Sequence, residues 1–235
     1  MIFDGNDLSS VLVIENIDRP VMPPVQVEAD DRAGDGSVLR RIRLEPLSIG
    51  VDARLVRPYP ELGPRRGFDR AKRELAGMLF RRRPCKLVLD DRPDVYNMAV
   101  LDDSTDLEKL GPTQALSMRF YCSDPVCYSR DETERRSEGG TVTCRVGGNF
   151  PTAPVIELQS SYDNDAVIVD GRPMRAVGAG TDAGTLVFDC SRRRVEKDGE
   201  PVALYLGDDY AEWAPGLHAV TCDRPFTVRW RELWI

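Results

Sequence analysis

Residues 68–128 constrain the fold of this chain most, because they predict a helix, a strand pair and a closing turn in direct succession. In the helix the apolar residues recur at steps of three and four and so share one face: Phe68, Ala71, Leu75, Met78 and Leu79. Pro84 ends this pattern, so the predicted helix spans about residues 68–82. A helix of this length is marginal alone in water and must dock on a neighbouring element.

The strands that follow the helix are its natural partner. Residues 85–89 and 95–101 predict two strands around a turn that contains Pro93. Residues 113–121 then alternate apolar and polar side chains, which is typical of a half-buried strand. The sequence therefore predicts a helix packed on a sheet.

Short strands are also predicted before the helix, at residues 10–15, 26–29, 38–44 and 49–55. Pro20, Pro23 and Pro24 interrupt them and impose an extended path that cannot lie in mid-sheet. In residues 38–44 the alternation is imperfect, and it does not decide which face of the strand is buried. The first half of the chain is thus mainly β.

The second half predicts one strand after another, separated by turns such as Asp170-Gly171 and Asp198-Gly199. No helical periodicity interrupts this series, so we predict an antiparallel β-sandwich. Charged and small residues fill positions 129–140, where we place the domain boundary. The predicted domains are residues 1–135 and 141–235, and the sequence leaves open whether the last strand, within 226–235, closes the sandwich or returns to the first domain.

Charge and cysteine content exclude several classes of protein. A net charge of −7 argues against a sequence-independent grip on nucleic acid, which needs a basic face. The first twenty residues lack a basic start followed by a long apolar run, and no apolar stretch approaches the roughly 18 residues of a membrane span, so we expect neither a secretory signal nor a membrane segment. The six cysteines are expected to be reduced and packed.

Motifs for catalysis or cofactor binding are weak. His218 is the single histidine and lies in a predicted strand, and neither a Gly-x-Ser-x-Gly motif nor a zinc-ligand spacing accompanies it. Residues 178–183 match a dinucleotide fingerprint, but they lead into a strand and not a helix, so we predict a hairpin loop there. We expect no cofactor, no bound metal and no catalytic residue.

Three pairs of adjacent carboxylates are the remaining candidates for acid–base chemistry: Asp90-Asp91, Asp102-Asp103 and Asp208-Asp209. Two carboxylates are sufficient for a glycosidase. All three pairs lie in predicted turns, where aspartate is common for backbone reasons. A wall-degrading hydrolase that uses Asp208 and Asp209 is therefore the weakest hypothesis that we keep.

Aromatic residues of the second half offer a binding hypothesis. Tyr205, Tyr210, Trp213 and Trp230 lie close in sequence, and exposed rings could stack on sugars, although core packing is the commoner role. The alternative function is a carbohydrate-binding module for the host cell wall, with Tyr210 and Trp213 as contact residues.

The order of short motifs along the whole chain resembles the distal tail (Dit) proteins of long-tailed, non-contractile phages. The motifs are Phe3-Asp-Gly5, Asp7-Leu-Ser9, Arg19-Pro20, the Gly34-Asp-Gly36 turn, Arg73-Glu-Leu-Ala76, Leu87-Val-Leu-Asp-Asp-Arg-Pro-Asp94, Phe120-Tyr-Cys122, Asp124-Pro125, Gly148, Pro154-Val-Ile-Glu-Leu158 and Trp213-Ala-Pro-Gly-Leu217. Each motif is short, so the resemblance depends on their order and spacing.

The resemblance implies a ring-forming β domain with one helix, followed by a galectin-like sandwich. It also implies a non-enzymatic structural protein of the tail tip, or baseplate, of a phage or prophage. Such proteins form a hexameric ring that joins the tail tube to the tail-associated protein, contacts the tape-measure protein and carries receptor-binding proteins. Assembly would take place in the host cytoplasm. In such a ring, we expect Arg81, Arg82 and Arg83 to face a subunit contact or solvent.

Overall fold

The computed structural model describes residues 1–56, 59, 62, 64–102, 115–160 and 165–235. Two compact units make up the chain: unit 1 is Met1–Cys127 with Ile235, and unit 2 is Tyr128–Trp234. In the described residues the protein is mainly antiparallel β with one α-helix, as predicted. None of its described helices is long and apolar enough to cross a membrane.

Unit 1 is built on one antiparallel sheet in the order β2-β1-β7-β8-β9-β6-β3. The strands up to the division between the units are β1 (Ile2–Phe3), β2 (Asn6–Asp7), β3 (Leu12–Asp18), β4 (Val25–Asp31), β5 (Ser37–Leu44), β6 (Leu47–Leu55), β7 (Cys85–Val88), β8 (Val95–Leu101), β9 (Ala115–Cys122) and β10 (Cys127–Ser129). The predicted alternation of β9 is confirmed, because Leu116, Met118 and Phe120 are buried between exposed neighbours. A short 3-10 helix, Leu8–Ser10, precedes β3.

The helix α1 spans Pro64–Leu79, so it starts and ends earlier than the predicted 68–82. Proline is favoured in the first turn of a helix, since the N–H that it lacks has no intrahelical partner there. Arg81 lies beyond the helix, and its Nη1 donates to the carbonyl oxygens of Gly77 at 3.0 Å and Phe80 at 2.8 Å. The guanidinium thus satisfies two carbonyls at the negative end of the helix.

The apolar face of α1 is buried in the core of unit 1. Ala71, Leu75 and Leu79 are at most 2% exposed and belong to one cluster with Phe3 and Phe120, whose rings lie 5.4 Å apart. The predicted packing of helix on sheet is confirmed. Burial of each large apolar side chain contributes about 1.5–3 kcal/mol, which offsets the marginal stability of a short helix.

Strands β4 and β5 form a separate two-stranded sheet. The register places Val25 opposite Leu44 and Val27 opposite Ile42, and it shifts by one residue between Glu28 and Ala29. Both strands are predicted from the sequence, but the structure buries neither of their faces.

Unit 2 contains β11 (Thr133–Ser137), β12 (Gly140–Val146), β13 (Val155–Ser160), β14 (Ala166–Val169), β15 (Arg172–Val177), β16 (Gly184–Asp189), β17 (Arg194–Lys197), β18 (Glu200–Leu204), β19 (Gly216–Cys222), β20 (Phe226–Trp230) and β21 (Leu233–Trp234). Ten of them form the path β11-β20-β13-β16-β17-β18-β15-β14-β19-β12. Both halves of this path contribute to one core, which confirms the predicted antiparallel sandwich.

The charged segment 129–140 is not the linker that its composition predicts. Thr133–Ser137 pair with Phe226–Trp230, so the backbone completes an edge of the sheet while the charged side chains stay in solvent. The chain accordingly divides after Cys127 and not at the predicted residue 135. Strand β20 lies within the sandwich between β11 and β13, which answers the question that the sequence left open for residues 226–230. That each unit folds independently stays a prediction.

Candidate functional site

A cleft of about 430 Å³ opens in unit 2, beside the segment that carries Tyr210. The side chains of Tyr128, Ser191, Tyr210 and Glu212 line it together with those of Arg193, Arg229, Trp230 and Arg231. The three arginines form ion pairs: Arg193 with Asp209 at 2.6 Å, Arg229 with Glu157 at 2.7 Å and Arg231 with Glu132 at 3.9 Å. Because each positive charge has a carboxylate partner, the cleft suits a neutral ligand better than an anion.

Of the two predicted carbohydrate contacts, only Tyr210 lines this cleft. Tyr210 is partly buried, and burial raises the pKa of its phenol because the charged form loses hydration. The guanidinium of Arg193 lies over its ring, 5.4 Å from the centroid.

The prediction that Trp213 contacts carbohydrate is wrong, since Trp213 is fully buried and cannot present a face to a sugar. Its ring stacks on that of His218 at 5.0 Å and meets Trp230 edge-on at 5.7 Å. Its backbone also exchanges hydrogen bonds with Thr152, at 2.7 and 2.8 Å. Trp213 is therefore a core residue that ties its segment to the sandwich.

His218 is held through both nitrogens of its ring. Nδ1 lies 2.8 Å from Oδ2 of Asp170, and Nε2 lies 2.7 Å from the carbonyl oxygen of Ala214. The backbone N–H of Ala219 donates to the other oxygen of Asp170 at 2.8 Å. Neither ring nitrogen is left to take a proton from a substrate, so the arrangement indicates a structural role.

Asp208 is also bound to its surroundings. Its carboxylate accepts from Nε and Nη2 of Arg175 at 2.9 and 2.6 Å and from the backbone N–H of the same residue at 3.0 Å. These hydrogen bonds favour the charged form and lower the pKa of Asp208. A general acid needs a raised pKa, so the environment of Asp208 opposes that role.

The other members of the carboxylate pairs have separate partners. Asp209 accepts from Arg193 and from the N–H of Tyr210 at 2.8 Å, and Asp91 accepts from Arg19 at 2.7 Å. Asp90 accepts from the amino group of Met1 at 2.6 Å. Asp103 lies outside the described residues. Each pair that can be compared has its two carboxylates on different partners, which is the geometry of ion pairs and not of a shared catalytic proton.

The loop at 178–183 leads into the strand β16, as predicted, but the predicted hairpin is wrong, because β15 pairs with β14 and β18 whereas β16 pairs with β13 and β17. Gly178 and Gly180 adopt positive φ angles of 76° and 70°, and Nζ of Lys197 donates to the carbonyl oxygen of Gly180 at 2.9 Å. Within the described ranges, no three His, Cys, Asp or Glu side chains converge as metal ligands do.

All six cysteines are free and buried, which confirms the expectation from the sequence. Burial raises the pKa of Cys122 to about 12 and that of Cys144 and Cys190 to about 11. Thiols in such surroundings are packing groups.

The sequence did not identify the remaining residues of the cleft. Tyr128, Ser191 and Arg231 approach one another only because β20 brings the end of the chain beside the segment that follows unit 1. No spacing pattern connects residues that are so far apart in sequence.

The sequence and the fold of this chain were compared with those of known proteins. No protein-family model matches the chain. The distal tail protein of Bacillus phage SPP1 is 23% identical over 245 residues, which cover 100% of this chain and 95% of that protein. The crystal structure of SPP1 Dit, described as a paradigm of the hub adsorption apparatus in phages that infect Gram-positive bacteria, aligns with a TM-score of 0.81 at 18% identity and covers 100% of this chain and 98% of its own.

A chain of the phage p2 baseplate in its activated conformation aligns over 95% of this chain and 91% of its own, at 8% identity and a TM-score of 0.47, which is too low to establish a shared fold. The similarity to SPP1 confirms the resemblance to distal tail proteins, and the fold matches that of SPP1 Dit.

Proposed function

We propose that this chain is a structural hub subunit of a phage tail tip, which forms a hexameric ring and joins the tail tube to tail-associated and receptor-binding proteins. The observation that carries the proposal is the likeness to the SPP1 distal tail protein over essentially the whole length of both chains. The match therefore includes both compact units of this chain.

The architecture of unit 1 supports a ring subunit. Strand β3 lies at one end of the sheet order in the described residues, so one of its sides is available for pairing. A ring closes through two different surfaces of each subunit, and an edge strand or a projecting hairpin can supply one of them. In this proposal the tape-measure protein contacts the ring during assembly in the host cytoplasm.

The same proposal makes the chain a scaffold and not an enzyme. Asp208, Asp209 and His218 bind Arg175, Arg193 and Asp170 respectively, and those contacts stabilise loops of unit 2. Stabilised loops suit a protein that must hold its partners in fixed positions.

Immunogold electron microscopy tests the proposed location. Antibody raised against the purified chain should label the distal end of the tail in virions whose genome encodes the chain. Label confined to capsids or to unassembled protein would contradict the proposal. Preimmune serum on the same virions is the control.

The cleft in unit 2 favours a second candidate function, binding of a neutral wall saccharide through Tyr210. Saturation-transfer NMR with soluble wall polysaccharide should show contact that Tyr210→Ala removes and Tyr205→Ala keeps, since Tyr205 lies over Arg175 away from the cleft. A spectrum without transfer to the polysaccharide would eliminate this candidate.

A further inference from the structure

The β4–β5 hairpin has one apolar face that the described chain leaves uncovered. The pairing register puts six apolar side chains on that face: Val25, Val27, Ala29, Leu39, Ile42 and Leu44. Val27 and Ile42 are each 58% exposed, and Leu39 is 55% exposed. The extra residue at the register shift, Arg40, keeps Leu39 in phase with Ile42, so the bulge preserves the apolar face.

The opposite face of the hairpin is mostly polar, and Val38 is its one large apolar side chain. Gln26 lies across from Arg43 and Glu28 across from Arg41, and Arg40 forms an ion pair with Asp30. A two-stranded hairpin is marginally stable in isolation, and large exposed apolar patches mark interaction sites. The apolar face therefore requires a partner that buries it.

Another part of unit 1 has the properties that such a partner needs. Phe80, which follows α1, is 66% exposed, and Arg82 and Arg83 beside it are exposed as well. Neither of these two arginines forms an ion pair with a described residue, whereas Arg81 is bound to Asp4 and to the end of the helix. We call Phe80, Arg82 and Arg83 the helix-end patch.

The tip of the hairpin has the opposite charge. Asp31 and Asp35 lie at or beside the turn with a single cation, Arg32, so two negative charges face one positive charge there. Strands of seven and eight residues extend about 25 Å at roughly 3.4 Å per residue. That length allows the hairpin to reach beyond its own subunit.

We propose that the apolar face of the β4–β5 hairpin packs against the helix-end patch of a neighbouring copy of this chain, with Asp31 and Asp35 beside that copy's Arg82 and Arg83. The contact is heterologous, since hairpin and patch are different surfaces of one chain, and repetition of such a contact closes a ring. The inference rests on the proposed ring and identifies the surfaces that build it.

Charge reversal tests the contact. Variant A carries Asp31→Arg and Asp35→Arg, and variant B carries Arg82→Asp and Arg83→Asp. Either variant alone places like charges at every contact between subunits. Mass photometry should therefore show about a tenfold loss of rings for each variant. An equimolar mixture of A and B should restore rings of alternating subunits, and so should a chain with all four substitutions.

The apolar part of the contact has its own variant and control. Ile42→Ser should weaken the ring in the same assay, whereas Val21→Ser, at a residue that is 97% exposed outside the hairpin, should leave it unchanged. Circular dichroism spectra that match the wild type establish that each variant is folded.

The outcomes separate the two proposals. Wild-type rings that A, B and Ile42→Ser leave intact would overturn the hairpin contact alone, because the ring would then use other surfaces. Loss of rings in A and B without recovery in the mixture would also overturn it. A wild-type chain that is monomeric at all concentrations would contradict the ring itself and the contact with it.

Discussion

Arg175 binds both carboxylate oxygens of Asp208, from Nε at 2.9 Å and from Nη2 at 2.6 Å, and lies over the ring of Tyr205 at 4.0 Å. The side chain of Asp208 is only 4% exposed, whereas that of Arg175 is 42% exposed, so the carboxylate is shielded and the arginine is partly in solvent. The two residues fix the loop after β18 to β15, and the same contact prevents Asp208 from acting as an acid.

Asp208→Asn should therefore lower the free energy of unfolding by about 1–3 kcal/mol, the cost of weakening charged hydrogen bonds to a shielded group. The pKa of Asp208 is lowered from its ordinary 3.8, so the contribution is complete above that pH and is lost as pH falls through the lower folded value. Urea unfolding at a series of pH values measures the difference, which should be constant near neutrality and shrink in acid. A difference that grows in acid would contradict this account.

Leu75→Asp should abolish folding of unit 1, because it places a charge in the core where Leu75 is 1% exposed. Loss of the leucine alone costs about 1.5–3 kcal/mol, and burial of the charge adds to that. Ala76→Asp is the matched control, since it introduces the same side chain one residue later on the exposed face. Circular dichroism and thermal unfolding distinguish them, and a Leu75→Asp protein that melts as the wild type would refute the position of the helix.

The buried cysteines should not react with a thiol reagent at pH 8 while the protein is folded. Burial raises the pKa of Cys122 to about 12, so almost no thiolate is present, and the thiol is covered as well. Ellman's reagent should detect none of the six thiols in the native protein and all six in guanidinium chloride. Rapid native reaction of one or more thiols would show that the packing is incorrect.

Arg81→Ala should destabilise unit 1 by about 0.3–1 kcal/mol, because the carbonyl oxygens of Gly77 and Phe80 lose their donor at the helix end. Arg82→Ala removes the same charge from the next position without those hydrogen bonds and should leave stability unchanged. Equal unfolding midpoints for both variants would contradict a specific role for Arg81.

Periodic patterns predicted the regular elements of the fold. Strand β9 and the apolar face of α1 each bury one set of alternating or helically spaced residues, and local spacing is sufficient to identify such faces. The start of α1 at Pro64 was missed because proline interrupts strands and helix interiors yet is favoured in a first turn. Strand β11 was missed because its pairing with β20 uses the backbone, while its composition resembles a linker.

Local spacing could not predict which side chains are buried by residues that are distant in sequence. Tyr210 and Trp213 lie three positions apart and have similar chemistry, but one lines a cleft and the other is enclosed by His218, Thr152 and Trp230. For residues 38–44, in β5, the sequence could not select a buried face, and the structure explains why, since neither face is buried within the described chain.

The most direct test of the central claim is negative-stain electron microscopy of the purified chain, with its mass measured in parallel. The account predicts class averages with sixfold symmetry and a mass of about 158 kDa, six times the 26.3 kDa of one chain. Particles of 26.3 kDa at every concentration, with no ring in any class average, would contradict it.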